Sequence, residues 1–557
     1  MKNLFLLFLL STYVLSLDSC LNNNNSEPKA AIDSTNIKEI NASGLARSIK
    51  MLASDSFQGR KPFTKGETLS INFLRNQFEN LNLRPGNGRS YFQDVPMVEI
   101  TSIPGDLIIK GKNGNLTLHY LNDYVGLSRR EVTEVNSKQS ELVFAGFGIV
   151  APEYHWNDYQ GINVKGKTVV VMVNDPGFYN SKLFKGKTMT YYGRWTYKYE
   201  EAARQGAAGI LIIHDEAPAS YPWSVVQSSF SGSKLYLQSA DHDMHRAAIE
   251  GWISHESAIN LFKIAGIPSN EMDKASKPGF KPLDMSLNTD IHIKNTLKKS
   301  LSHNVIAYLK GARDSNQYII YSAHWDHLGI GAPVKGDSIY NGAIDNASGC
   351  ASMISIARAF SDGKIPNRSV VFIAVTAEEQ GLLGSEYYAL HPTFPIQKTI
   401  ADINIDALSA DGLMKDLSII GYGQSELDDY VKHSAEKQGR IINVDPNPSA
   451  GSFFRSDHFN FAKVGIPALF IESGTNSVAH GPVWGKAQAD DYIKNRYHQT
   501  SDNFDPAHWD FTGMVEDSRL LYDVGYTLAN ERKFPSWKLG SEFKTIREKS
   551  LEKSSKN

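Results

Sequence analysis

The sequence predicts an α/β fold, with a mixed, mostly parallel sheet sandwiched by helices. Apolar runs such as Q-Y-I-I-Y-S-A at 317–323 and S-V-V-F-I-A-V at 369–375 are continuous rather than alternating. Strands of a parallel sheet covered on both faces read this way. From 317 to 440 such runs alternate with helical stretches, the pattern of a layered α/β domain. Polar residues gather where the runs end, and in open α/β sheets ligands sit beyond the carboxyl ends of the strands.

The elements follow in order. Residues 1–20 carry one Lys and then an apolar core of about a dozen residues, the length of an export signal and too short for a lasting membrane span. Cys20 follows L-D-S, a lipoprotein-like cleavage context in which Asp18 is unusual; an ordinary signal with an incidental Cys is the alternative. Residues 21–35 are a polar tether. Leu45, Ile49 and Leu52 share one helical face, and E-T-L-S-I-N-F-L-R-N-Q-F-E-N-L is a second amphipathic helix. Between them Arg60 in L-A-S-D-S-F-Q-G-R either lines a cleft or is a surface arginine. Residues 126–255 contain strand-like runs at E-L-V-F-A-G-F-G-I-V and G-K-T-V-V-V-M-V, then a helix, a Gly turn and the strand G-I-L-I-I-H-D. The aromatic cluster around Trp195 either packs this segment onto its neighbours or lines the cleft. After Pro535 a Lys-rich tail, 536–557, is expected to be solvated.

The 557 residues allow two or three domains, and 41% hydrophobic with 21% charged content suits a globular body. A net charge of -2 gives no support for a nucleic-acid partner. Only Cys20 and Cys350 are present, so stability is not expected from disulfides. Neither a Walker-type loop nor a dinucleotide fingerprint occurs.

The chemistry-bearing residues stand at strand ends. The first long run closes on His324, Asp326 and His327; N-G-A-I-D-N-A-S-G carries Asp345; the second run closes on Glu378 and Glu379; T-I-A-D-I-N-I-D closes on Asp406; and R-Y-H-Q-T-S-D carries His498. Singly these motifs are common in surface loops and helix starts. Together and in this order they collect imidazole nitrogens and carboxylate oxygens, which suit zinc. The Glu378–Glu379 doublet lets one side chain ligate while the other faces water as a base. Asp326 is placed to hold the His324 imidazole by its second nitrogen.

The set A-H-W-D, G-A-I-D-N-A-S-G, T-A-E-E-Q-G-L-L-G-S, N-I-D, R-S-D-H and Y-H-Q-T-S-D, spread over most of 300–505, resembles the co-catalytic zinc aminopeptidases of metallopeptidase family 28. The resemblance implies two zinc ions per chain. His324, Glu379, Asp406 and His498 would be terminal ligands, Asp345 a bridge and Glu378 the general base. Tyr497 is similar to the Tyr that holds the oxyanion in the glutamate carboxypeptidases; a packed strand-end Tyr is the other reading. Phe453 stands where the bacterial leucyl enzyme has a Tyr. Glu472 in F-I-E-S is a candidate for the free amine of a substrate. The catalytic domain is expected at 36–125 and 256–535. Residues 126–255 resemble an inserted, β-rich protease-associated domain. The implied function is removal of N-terminal residues from peptide substrates, by a chain exported and lipid-anchored in a bacterial envelope. Rivals of the same fold are a glutaminyl cyclase and a glutamate-type carboxypeptidase. A non-catalytic receptor is the rival of another class.

Overall fold

A computed structural model of the chain describes residues 36–445 and 447–555. The expected export signal, Cys20 and the 21–35 tether lie outside the described residues. Among the described residues no helix is long and apolar enough to cross a membrane.

The sheet that carries the site has the expected mixed, mostly parallel order. Strand Arg368–Val375 lies parallel to Asp314–His324, which lies parallel to Thr399–Asn404, which lies parallel to Ala468–Ser473. Beyond these, Asp416–Ile419 runs antiparallel to Ala468–Ser473. On the other side Leu283–Leu309 runs antiparallel to Arg368–Val375. Alternate residues of each central strand serve opposite faces. Ile319, Tyr321, Ala323, Val370, Phe372 and Ala374 pack against helices Ala42–Leu52, Gly349–Ser361 and Thr512–Asn530. Ile320, Val371, Ile373 and Val375 pack against Tyr388, Phe459 and Phe461 of helices Leu383–Leu390 and His458–Lys463. Both faces being covered, the strands need no polar alternation, which is why they read as unbroken apolar runs.

The strand Leu283–Leu309 is long enough to serve two cores. Its last residues, Val305 and Ala307, belong to the core of the site-bearing sheet, and Met285, Leu287, Ile291 and Ile293 belong to another. That second core gathers residues from Leu107 to Ile293, a range that contains the segment 126–255. Within it Glu134–Phe144, Thr168–Met172, Gly209–Ile213 and Ile249–Ile253 form a parallel sheet.

Of the aromatic cluster, Tyr191 reaches across. Its ring packs on Phe454 and Phe459, and Met189 N donates to Pro448 O at 3.0 Å. Trp195 instead packs on Tyr199 and Phe230, inside residues 107–293.

The tail after Pro535 departs from expectation. Trp537 and Phe543 are buried against the sheet-facing aromatic cluster, and Lys544–Ser555 is a helix. Arg547 donates to Ile396 O at 2.9 Å and Thr399 O at 2.7 Å. The average composition is polar, but two aromatic anchors, Arg547, and the pairs Lys538–Asp428 and Lys185–Glu542 at 2.8 Å each dock it.

Candidate metal centre

Three parallel strands end side by side, and their ends carry the site. His324 closes its strand in register with Val375, three residues before Glu378, and Ser322 is paired with Asn404, two residues before Asp406. Asp345 comes in on the turn Ala343–Ser348, and His498 on the loop between helices Gly481–Asn495 and Thr512–Asn530. The chain takes left-handed backbone at Ala377, Ala407 and His498, beside or at three site residues. Such conformations cluster where surrounding structure overrides local preference. Gly342 is required by close approach, since a Cβ there would lie 2.1 Å from Asp345 O and 2.6 Å from the His327 ring.

The predicted residues converge. His324 Nε2 is 3.2 Å from both Asp345 Oδ1 and Asp406 Oδ1. His498 Nε2 is 3.2 Å from Asp345 Oδ2 and 3.0 Å from Glu379 Oε2. Asp345 thus stands between two imidazole–carboxylate groups, one oxygen toward each. Ligand atoms of His324, Asp345 and Asp406 lie within 4.8 Å of one another, as do those of His327, Asp345 and Glu379. Glu378 Oε2 is 3.9 Å from His324 Nε2, so it faces the first group without displacing its carboxylates. Tyr497 stacks on the His498 ring with centroids 3.9 Å apart and is 40% exposed.

The electrostatics follow from burying this many carboxylates together. Burial alone would lower His324, but Asp406, Glu378 and Asp345 hold it well above the usual histidine range. His498 is likewise raised, to about 10, by its hydrogen bonds to Asp345 and Glu379 in spite of burial. Asp345 is held well below the carboxylate range because its bonds to His324 and His498 outweigh burial. Glu378 is pushed well above that range by burial, with Glu379 and Asp406 adding to it against His324. Asp326 rises to about 7, chiefly through burial.

Asp326 differs in detail from expectation. His324 Nδ1 lies 3.1 Å from the main-chain oxygen of Asp326 and 3.8 Å from its carboxylate. The carboxylate instead accepts the Glu378 N–H at 3.0 Å. It therefore fixes the backbone of Glu378 rather than the ring of His324. Arg60 is neither a cleft nor a surface residue: it is 1% exposed.

Three side chains had no role assigned from sequence. His327 Nδ1 is 2.6 Å from Glu379 Oε1, the oxygen turned away from His498, and its Nε2 is buried without a hydrogen bond among the described residues. Ser456 Oγ donates to Asp406 Oδ2 at 2.6 Å. Asp502 accepts from the N–H groups of Ile344 at 3.0 Å and Asp345 at 3.1 Å, tying the His498 loop to the Asp345 turn. The second His of H-W-D-H was a visible signal for the first of these; the other two have none beyond lying inside the motifs.

The residues present fit a divalent cation. Asp345, Glu379 and Asp406 bring carboxylate oxygens into one shielded space with Asp326 and Glu378, whose raised proton affinity reflects the excess of acidic groups buried there. Buried charge of that kind is tolerated when a metal or partner neutralises it. Imidazole nitrogen with carboxylate oxygen is the donor set of zinc sites.

The chain is similar to several known proteins over part of its length. A "Probable zinc metalloprotease" of Pyrenophora teres f. teres is 36% identical over 102 residues, covering 18% of this chain and 22% of that protein. "Aminopeptidase NAALADL1" of Mus musculus is 31% identical over 140 residues, covering 23% and 17%. The "probable leucine aminopeptidase 2" of Aspergillus oryzae is 25% identical over 306 residues, covering 54% and 55%. The chain thus spans about a fifth of the first two relatives and about half of the third. Among solved structures, the aminopeptidase from Aneurinibacillus sp. strain AM-1 aligns over 89% of this chain and 96% of its own, at 18% identity and a TM-score of 0.48. Residues 304–522, which contain every residue of the centre described above, match the model of Peptidase family M28.

Proposed function

We propose that the chain is a metal-dependent exopeptidase that removes N-terminal residues from peptides, with two zinc ions in the centre. The observation that carries the proposal is Asp345, with one oxygen turned to His324 and the other to His498. In this reading His324 and Asp406 would hold one ion, Glu379 and His498 the other, and Asp345 would contribute to both. Zinc in such a donor set supplies Lewis acidity and makes water acidic enough to lose a proton near neutral pH.

The chain's own groups do the rest. Glu378, at the edge of the first group, accepts a proton from the attacking water and passes it to the departing amine. Its raised affinity for a proton, caused by burial, suits that shuttle. Asp326 keeps Glu378 in place through its main-chain N–H. His327 donates to the outer oxygen of Glu379, leaving the other oxygen for coordination. Tyr497, whose phenol is held protonated by burial and by Asp345 and Glu379, donates to the developing oxyanion. Glu472 lies in the field of Asp406 and Asp445 and would meet the substrate amine. Residues 126–255 act as the protease-associated insert, and residues 1–20 as an export signal with Cys20 as lipid attachment point.

The test is hydrolysis of aminoacyl-nitroanilides by the full chain before and after chelation. Activity should vanish with chelator and return with zinc at two ions per chain. Hydrolysis that survives complete metal removal would overturn the reading.

A further inference from the structure

The turn Asp55–Arg60 joins helices Ala42–Leu52 and Lys65–Asn80, and Gln58, Gly59 and Arg60 all adopt left-handed backbone. The turn is pressed against the hairpin that leads from His327 toward Asp345: a Cβ on Gly59 would lie 2.4 Å from Tyr340 O and 2.6 Å from Gly329 O. From this turn the Arg60 side chain runs inward, beneath the metal centre.

Its guanidinium binds main-chain carbonyls only. Nε donates to Trp325 O at 2.9 Å, the residue between His324 and Asp326. Nη1 donates to Leu52 O at 2.9 Å and Asn341 O at 2.5 Å. Nη2 donates to Gly342 O at 2.8 Å and Asp345 O at 3.4 Å. Among the described residues no carboxylate pairs with it directly; the acidic charges it feels are Asp345, Asp502 and Asp326. A buried cation is costly, and well-packed apolar residues usually do as well for stability alone. What Arg60 does that an apolar residue cannot is hold two ligand-bearing segments at a set separation. The planar fork of a guanidinium, with five N–H donors, spans several acceptors at once; an ammonium does not.

We propose that Arg60 is a positioning residue for the metal centre, fixing the Asp345 turn against the end of the His324 strand. The inference rests on the metal reading above and adds a residue that touches neither substrate nor metal. It explains why three successive residues before the second helix accept left-handed backbone: the turn is shaped to deliver this side chain.

The experiment compares the full chain with Arg60→Gln and Arg60→Lys, each stripped of metal. Zinc affinity is measured by calorimetry, the cobalt-loaded proteins by visible absorption, and the metal-free proteins by thermal melting. Both variants should bind zinc about 10–100-fold more weakly, the loss typical of groups that orient ligands. Their cobalt spectra should differ from that of the unaltered chain. Arg60→Lys should melt nearer to the unaltered chain while failing to restore affinity. Variants that fold and keep unaltered zinc affinity and cobalt spectra would overturn the proposal. So would failure of both to fold, which would make Arg60 a requirement of the fold. An unaltered chain that binds no zinc would overturn the metal reading itself, a separate outcome.

Discussion

His214 and His324 both stand at or just past the carboxyl end of a buried parallel strand, one in each core, yet their ring chemistry moves in opposite directions. His214 is lowered, because burial outweighs its contact to Tyr221 O at 3.0 Å. His324 is raised well above the usual range, because Asp406, Glu378 and Asp345 outweigh an even deeper burial. The neighbours of His214 are equally used up. Asp175 accepts from Gly177 N, Thr190 N and Thr190 Oγ1, and Asn174 Nδ2 donates to Pro218 O. Ser254 accepts from Ser257 N and caps the helix His255–Ala265. Polar groups at these strand ends close turns and caps. At the ends around His324 they face one another. A strand end therefore provides a place for a site; unneutralised charge across the gap makes it one.

The contrast breaks most sharply at Glu378. Glu378→Gln should lower kcat by about 10²- to 10⁴-fold with zinc content unchanged, as removal of a general base does. Turnover like that of the unaltered chain would take Glu378 out of the mechanism.

Asp175 tests the other end of the comparison. Asp175→Ala strips acceptors from Thr190 and Gly177 and should cost about 1–3 kcal/mol of stability. Zinc content and kcat should stay as they are. A loss of zinc on this change would mean that the two regions are not chemically independent.

His458 sharpens the comparison with a ring that has no carboxylate among the causes acting on it. It is fully buried among Phe453 and Phe470, and among the described residues neither ring nitrogen has a partner in full hydrogen-bond geometry. Burial pushes it down to about 3. Above about pH 6.5 the ring is neutral in both folded and unfolded chains and has no effect on the pH dependence. As pH falls from there toward 3, only the unfolded chain takes up the proton. Stability should then fall by about 1.4 kcal/mol per pH unit through this group. Denaturant unfolding at pH 7 and pH 5 should show that slope, and His458→Phe should lack it. An identical slope in the variant would assign the acid lability elsewhere.

Much of the candidate site is legible in the sequence, and for a local reason. Val370 to Val375 advertise a strand covered on both faces, and Glu378 and Glu379 follow directly; the same holds for His324 and Asp406. Of the long strand Leu283–Leu309 only the end is plain in the sequence, where S-H-N-V-I-A-Y-L-K-G reads as a strand and turn; D-M-S-L-N-T-D-I-H-I-K alternates as a strand should, and its burial follows the alternation closely. The tail was misjudged because Lys and Ser dominate its average while Trp537 and Phe543 dominate its packing.

By itself, the sequence determined which residue types stand at which strand ends, since periodicity and side-chain chemistry are properties of short stretches. Only the tertiary structure decided which groups meet. That His327 takes the outer oxygen of Glu379, that Asp326 serves the backbone of Glu378, and that Arg60 reaches carbonyls up to 285 positions along the chain all depend on approach through space. No spacing along the chain encodes such approaches; they exist because packing both faces of one sheet leaves a single edge where these segments can end together.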